Sequence, residues 1–498
     1  MPTSDIIDLF IIGGGVNGAG IAADAAGRGL KVTLCEQNDL ASATSSKSSK
    51  LIHGGLRYLE YYEFRLVREA LKEREVLLKK APHIVQPLSF IMPHNAQLKP
   101  AWMLRLGLFL YDHLGKRKVL PASSAINFTQ HSAGQILKKT FNRGFSYADC
   151  WVDDARLVVL NALQARQLGA TILTRTRVVS GARQKDHWVM EVVNAHGQSQ
   201  VIKAKVLINA AGPWVESVIH QNLKLNSKNH VTLVKGSHIV VPRLYPEDYA
   251  FILTNIDNRV IFVIPYLGKY SLIGTTDIAF QGDPAKAEIS AEEIDYLLTA
   301  VNRYFEQSIT REQIVWTYAG VRPLHSENTS NVSAITRDYT LELNHDAQQA
   351  PLLSVFGGKI TTYRKLAEHA LQDLQRFFPH ATSSWTKDAP LPGGDLPNAD
   401  FSSFYKQLQQ QYPWLPAELA YRYARSYGTL CQRFLNNAHN LSDLGQHFGA
   451  GLYEAEVAYL MENEWAETVE DILWRRTKLG LALSPQEVEL LNQHITET

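Results

Sequence analysis

Cysteine is scarce in this chain: Cys35, Cys150 and Cys431 are the only three in 498 residues. They are odd in number, far apart and never in a C-x-x-C pair. That excludes a disulfide framework and a cysteine zinc site, and it fits a reducing compartment. No metal site is expected. An excess of one charge is missing too. Lys and Arg total 50 against 49 Asp and Glu, a net charge of +1, so nothing general points to nucleic acid or another polyanion as partner, and any basic patch must be local. No apolar run approaches the roughly 20 residues that span a bilayer, which leaves attachment to a membrane surface open. The opening "MPTSDIIDLF" carries acids and no basic stretch, so no signal peptide is expected. There are no internal repeats and no long low-complexity tracts. What remains is 45% hydrophobic and 20% charged, the balance of a folded protein long enough for two or three domains.

The stretch "IIDLFIIGGGVNGAGIAADAAGRGLKVTLCE" is the most informative. Ile6 to Ile12 reads as a buried parallel strand, Ala19 to Arg28 as a helix stopped by Gly29, and Lys31 to Cys35 as a second strand. Gly13, Gly15 and Gly18 satisfy G-x-G-x-x-G, with Asn17 inside the turn. Gly13 permits the turn, Gly15 lets backbone approach a pyrophosphate, and Gly18 lets helix and strand pack closely. The helix start offers N–H groups and a positive dipole end to that pyrophosphate. Glu36, at the end of the second strand, stands where a carboxylate accepts hydrogen bonds from an adenosine ribose.

A fingerprint at this position is common among FAD proteins of the glutathione-reductase type, which return later in the sequence to complete the flavin site. Two such returns are visible. "VLINAAGPW" (Val206 to Trp214) runs from a strand into a small-residue turn at Ala211 and Gly212. "LLSVFGGKITTYRKLAEHAL" (Leu352 to Leu371) is a strand, the pair Gly357 and Gly358, then a helix start at Lys359 to Thr361. A helix start aimed at the flavin stabilises negative charge at N1–C2=O of the reduced ring. No second G-x-G-x-x-G follows a strand, so FAD is expected and a nicotinamide domain is not.

Other segments set charge beside glycine or aromatics: "SSKLIHGGLRYLEYYEFRLVREA", "DCWVDDARLV", "KGSHIVVPR", "IGTTD", "WTYAGVRPL" and "ITRDY". With these segments the chain resembles the flavin-dependent, membrane-associated glycerol-3-phosphate dehydrogenases, the aerobic respiratory enzymes of bacteria, from Asp8 to about Gly480. Lys47 stands where that resemblance leads one to expect a small residue. The resemblance implies sn-glycerol 3-phosphate as substrate, dihydroxyacetone phosphate as product, noncovalent FAD, and ubiquinone or menaquinone as acceptor. It further implies that Arg57, Arg322, Arg337 and Lys359 recognise phosphate and hydroxyl, with Tyr58 beside them. The chemistry suits them, because a guanidinium meets phosphate oxygens bidentately. Ser45, Ser46, Lys50, His53, Gly54 and Gly55 are expected on the flavin side.

Oxidation at C2 needs a base for the hydroxyl proton. His238 is the candidate, since imidazole titrates near working pH. Its alternative is a strand histidine bonded to backbone. Arg322 is placed to stabilise charge developing on the C2 oxygen.

"QLKPAWMLRLGLFLYDHLGKRK" (Gln97 to Lys118) is too short to span a bilayer and flanked by cations. Helical spacing sets Arg105, Asp112 and Lys116 on one stripe and Met103, Leu110 and Leu114 opposite, with Trp102, Phe109 and Tyr111 on the flanks. This predicts an interfacial helix, the alternative being a buried one. The expected location is the cytoplasmic face of the inner membrane, bound peripherally.

The expected fold is α/β. A Rossmann-type FAD domain of the glutathione-reductase kind is divided over 1–82, 149–229 and 331–387. An antiparallel-sheet substrate and membrane-proximal domain takes 83–148 and 230–330, and a helical cap takes 388–498. Docking or homodimer formation through the cap stays open. Two other functions stay in view: a soluble glycerophosphate oxidase passing electrons to O2, and an FAD-bound interaction module without turnover.

Overall fold

The computed structural model describes residues 6–95, 98–115, 117–325 and 338–497. Two sheets share the chain. In the first, five strands run parallel in the order Gln349–Gly357, Ser199–Asn209, Ile7–Ile12, Val32–Cys35 and Thr171–Leu173. Tyr339–Asp346 adds an antiparallel edge, and a hairpin of Thr176–Arg183 and Trp188–Asn194 extends from the early half of Ser199–Asn209. The central strands are near-continuous apolar runs because helices cover the sheet. The fingerprint helix Val16–Gly27 packs against the helices Asp154–Gln167 and Tyr363–Asp373. Its alanines and glycines make that possible: a Cβ on Gly20 would lie 2.6 Å from the Tyr363 ring.

Among the described residues the second sheet has ten strands and draws on 85–152, on 231–325 and on Leu51–Ile52, which lies within the stretch expected in the FAD domain. It is antiparallel except where Ala250–Thr254 meets Val85–His94 in parallel, Ala250 opposite Phe90. The expectation of an antiparallel sheet therefore holds apart from that one junction, which joins two distant stretches of sequence. Two neighbouring strands matter most. The histidine strand Val231–Pro242 and the arginine strand Trp316–His325 pair with His238 opposite Tyr318, Gly236 opposite Gly320 and Val234 opposite Arg322. Because side chains alternate along a strand, these six positions share one face. The facing glycines leave a trough between the histidine and the arginine.

The C-terminal region is helical, with Phe401–Gln411, Ala417–Tyr427, Glu454–Glu464 and Pro485–Glu497. Its apolar core is continuous with that of the first sheet, one cluster running from Leu9 to Leu491.

The expected interfacial helix forms over Ala101–Leu114, but its faces differ from the helical-wheel expectation. Leu108 and Tyr111 are buried, while Trp102, Met103, Leu106 and Phe109 are exposed along with Arg105. Tyr111 is not a flank residue, because its hydroxyl is used inside: it accepts from Gly54 N–H at 2.8 Å and donates to Asp149 at 2.8 Å. Asp112 is not on an open polar stripe, since it is half-buried with Arg117 at 3.2 Å and the Ser123 hydroxyl at 2.7 Å. Lys99 pairs with Glu60 at 2.5 Å. Gln97 and Lys116 lie outside the described residues.

Candidate active site

The ends of the parallel strands and one face of the second sheet enclose an elongated cavity of about 570 Å³. At its nucleotide end Gly13 sits at φ +110°, and a Cβ there would meet Ala210 O at 2.5 Å. A Cβ on Gly18 would lie 1.9 Å from Gly13 O, so this glycine serves helix–strand packing and does not itself line the cavity. Gly15 and Asn17 do line it. Asn17 donates from Nδ2 to Gly357 O at 3.3 Å, and its buried Oδ1 has no partner among the described residues. Glu36 accepts from the N–H of Gly14 at 2.6 Å and of Asn38 at 2.8 Å. Burial pushes its carboxyl up, and those amides pull the other way. Ser45 Oγ accepts from Val16 N–H at 3.0 Å. Orphaned Asn17 Oδ1, the glycine cradle and the Glu36 carboxylate on the cavity wall fit a dinucleotide whose ribose supplies hydroxyls.

His53, Gly55, Arg57, Tyr58, Ala211, Gly212, Gly357, Gly358, Lys359, Thr361, His238 and Arg322 all reach the cavity wall, Ala211 and Gly357 beside the fingerprint itself. Three of the expected flavin-side residues do not. Lys50 is buried behind the wall, paired with Asp154 at 3.0 Å and lying over the Tyr318 ring. The Ser46 hydroxyl donates back to Ala43 O at 3.3 Å. Gly54 gives its N–H to Tyr111 and faces Leu71, away from the cavity. Arg337 lies outside the described residues.

The cationic group is held from several elements. Lys359 Nζ lies 3.7 Å from the centroid of the Tyr58 ring. Arg57 reaches the Tyr61 hydroxyl at 3.5 Å. Arg322 donates to Asp277 at 2.7 Å, to Thr275 Oγ1 at 3.1 Å and to Thr276 O at 3.0 Å. Its guanidinium is therefore fixed in plane, with charge-assisted bonds on one side. Lys47 lies over Gly320 in the trough, where burial lowers its pKa.

His238 stacks on Tyr318, centroids 4.7 Å apart, and shares Nε2 with Ser49 Oγ at 2.9 Å. Its Nδ1 has no partner among the described residues. It is not the backbone-bonded strand histidine of the alternative reading. Burial, then the Arg322 and Lys50 charges, hold it well below the usual imidazole pKa. His53 is lowered to about 4, mainly by burial.

Ser49, Thr275 and Asp277 were not singled out by the sequence, though each adjoins or lies inside a quoted motif. An acid three residues after "IG" in a stretch otherwise apolar or small was the only signal, and the strand register is what gives it meaning.

The family of FAD dependent oxidoreductases matches residues 8–364, and the C-terminal domain of alpha-glycerophosphate oxidase matches residues 384–497. The chain is 56% identical to a glycerol-3-phosphate dehydrogenase of Pseudomonas aeruginosa over 99% of this chain and 96% of that one. The chain belongs to the FAD-dependent glycerol-3-phosphate dehydrogenase family. FAD is its cofactor. A D-erythritol 1-phosphate dehydrogenase of Brucella abortus is 53% identical over 98% of this chain and 97% of that one. The fold matches the glycerol-3-phosphate dehydrogenase of Bacillus halodurans, solved with FAD, with a TM-score of 0.80 and 28% identity, covering 99% and 90% of the two chains. These relatives agree with the expected α/β fold with its helical C-terminal region.

Proposed function

We propose that this chain oxidises the C2 hydroxyl of sn-glycerol 3-phosphate to dihydroxyacetone phosphate and passes the electrons to ubiquinone or menaquinone at the cytoplasmic face of a membrane. One observation carries the reading: Arg57, Lys359, Arg322 and His238 line the same cavity as the dinucleotide fingerprint. Bound FAD supplies the acceptor for the C2 hydride. The residues do the rest. Arg57 and Lys359 bind the phosphomonoester, with Tyr58 beneath the lysine. Arg322, fixed by Asp277 and Thr275, presents its charge to the C2 oxygen. His238, kept neutral by burial, accepts the hydroxyl proton at Nε2, the nitrogen now bonded to Ser49.

An exposed apolar surface supports this acceptor. Trp102, Met103, Leu106 and Phe109 are exposed on one helix, and that helix packs on the turn Leu56–Tyr61. Tyr62, 80% exposed, and Phe64 extend the apolar area. Tyr61 belongs both to this area and to the cavity wall. No helix among the described residues is long and apolar enough to cross a membrane. Exposed apolar side chains grouped in this way suit a lipid surface, and Tyr61 leaves a short way from a lipid-dissolved acceptor to the cavity.

The reading is tested by comparing kcat/KM for sn-glycerol 3-phosphate, glycerol and D-erythritol phosphate with a soluble dye as acceptor. sn-Glycerol 3-phosphate is expected to lead, and glycerol to fall behind by a factor of at least about 10³, since it leaves the cations unpaired. A higher value for the four-carbon phosphate would reassign the substrate.

A further inference from the structure

None of the described residues of 384–497 lines the cavity, yet one segment there braces two of its walls. Asp471–Arg476 is a single π-helical turn, followed by Thr477 and Lys478. On one side it grips the loop from Asp39 to Lys50, which contributes Ser42, Thr44, Ser45 and Ser49 to the cavity. Asp39, 3% exposed, accepts from Arg475 Nε at 2.6 Å and from both Nη atoms of Arg476 at 2.7 Å. At the loop's other end Lys478 reaches Asp153 at 2.6 Å and lies 3.7 Å from Asp154. Asp154 in turn holds Lys50 and accepts from the Ser48 hydroxyl at 2.7 Å. On the other side Trp474 stacks on Trp316, centroids 4.2 Å apart. Trp316 lies 5.0 Å from Tyr318, the ring on which His238 stacks.

The loop is also tied by Ala41 N–H to Gly14 O at 3.1 Å, by the Thr44 hydroxyl to Val321 O at 2.6 Å and by Ser45 to Val16. It carries left-handed backbone at Ala41 (φ +60°) and Lys50 (φ +58°), and no regular structure beyond a three-residue turn at Thr44–Ser46. A buried carboxylate such as Asp39 is stable only with its charge and lone pairs matched, so the two arginines fix where it lies.

We infer that Asp471–Lys478 is a positioning segment of the cofactor site. Through Arg476 it sets the loop that receives FAD, and through Trp474 it sets the orientation of His238. The first half is independent of the substrate assignment; the second rests on the role given to His238 above.

The test uses the full chain. Arg476→Met is expected to raise the dissociation constant of FAD, titrated into apoprotein by flavin fluorescence, at least tenfold. Arg422→Met is the control, because it removes the half-buried arginine paired with buried Glu456 inside the same region but away from the loop. It is expected to lower thermal stability and leave FAD affinity unchanged. Equal FAD affinity in Arg476→Met and wild type, or equal weakening in both variants, would overturn the inference. If Arg476→Met does not yield folded protein, Lys478→Met reads the same constant at the other end of the loop under the same criterion. For the second half, Trp474→Leu is expected to slow flavin reduction about tenfold at saturating substrate with KM unchanged, and Trp474→Phe to restore it. A change in KM alone, or no rescue by phenylalanine, would refute that half without touching the FAD result.

Discussion

Gly274 faces His238 across the strand pair, and a Cβ there would come within 2.1 Å of the imidazole Cδ2. Gly274→Ala must therefore move the ring. A displacement near 1 Å costs roughly 10²-fold in rate, so single-turnover flavin reduction should slow by about that factor while substrate binding, read from the concentration dependence, changes little. His238→Asn keeps a polar group but no proton acceptor of imidazole strength. The same rate should fall about 10² to 10⁴-fold; a rate near wild type would mean that the proton leaves by another route. At this scale much of the site was legible. The glycines, Glu36, Arg57, Arg322 and Lys359 sit in motifs whose chemistry is local in sequence. Lys50 was not, because its partner Asp154 is 104 residues away and a buried lysine looks like an exposed one in a sequence. Ser49 and Asp277 gain their meaning only from the register that brings them to His238 and Arg322.

The helix Ala101–Leu114 raises a problem of faces. Its apolar residues surround most of the circumference, so periodicity predicted a helix without choosing its buried side. The choice is made by Tyr111, whose hydroxyl belongs with Asp149 and Gly54 inside, and that turns Trp102, Leu106 and Phe109 outward. A double variant, Trp102→Glu with Phe109→Glu, should reduce sedimentation with anionic lipid vesicles at least tenfold. Quinone reduction in membranes should fall with it, and turnover with a soluble dye should stay as in wild type. Loss of dye turnover as well would point to damage at the cavity instead of the surface. The parallel junction between Val85–His94 and Ala250–Thr254 was illegible for a related reason. Strand pairing over more than 150 residues leaves no trace in either strand's own pattern.

Across the whole molecule, His53, His83 and His238 share one property: burial lowers the pKa of each. His53 falls to about 4 and His83 to about 3. Both His83 ring nitrogens lack a partner among the described residues. Unfolded, each has an ordinary imidazole pKa near 6.5. Below that value the unfolded chain binds protons that the folded chain refuses. The contribution of these groups is thus complete above about pH 6.5 and is lost as pH falls towards 4 and below. Urea midpoints of the FAD-bound protein should fall between pH 7 and 5. In His83→Leu the slope of stability against pH in that window should be shallower by up to about one proton; an unchanged slope would mean that His83 is protonated in the fold. The α/β fold with its helical C-terminal region was legible from the motifs and from helical spacing. The merging of the C-terminal helices with the first sheet in one core was not, because amphipathic helices do not name what they cover. The measurement that bears most directly on the whole account is anaerobic stopped-flow absorbance of the FAD-bound protein mixed with sn-glycerol 3-phosphate. The account predicts rapid bleaching of the flavin band, slowed in the His238 and Arg322 variants and reversed by a soluble quinone. A flavin that stays oxidised at millimolar substrate would contradict it.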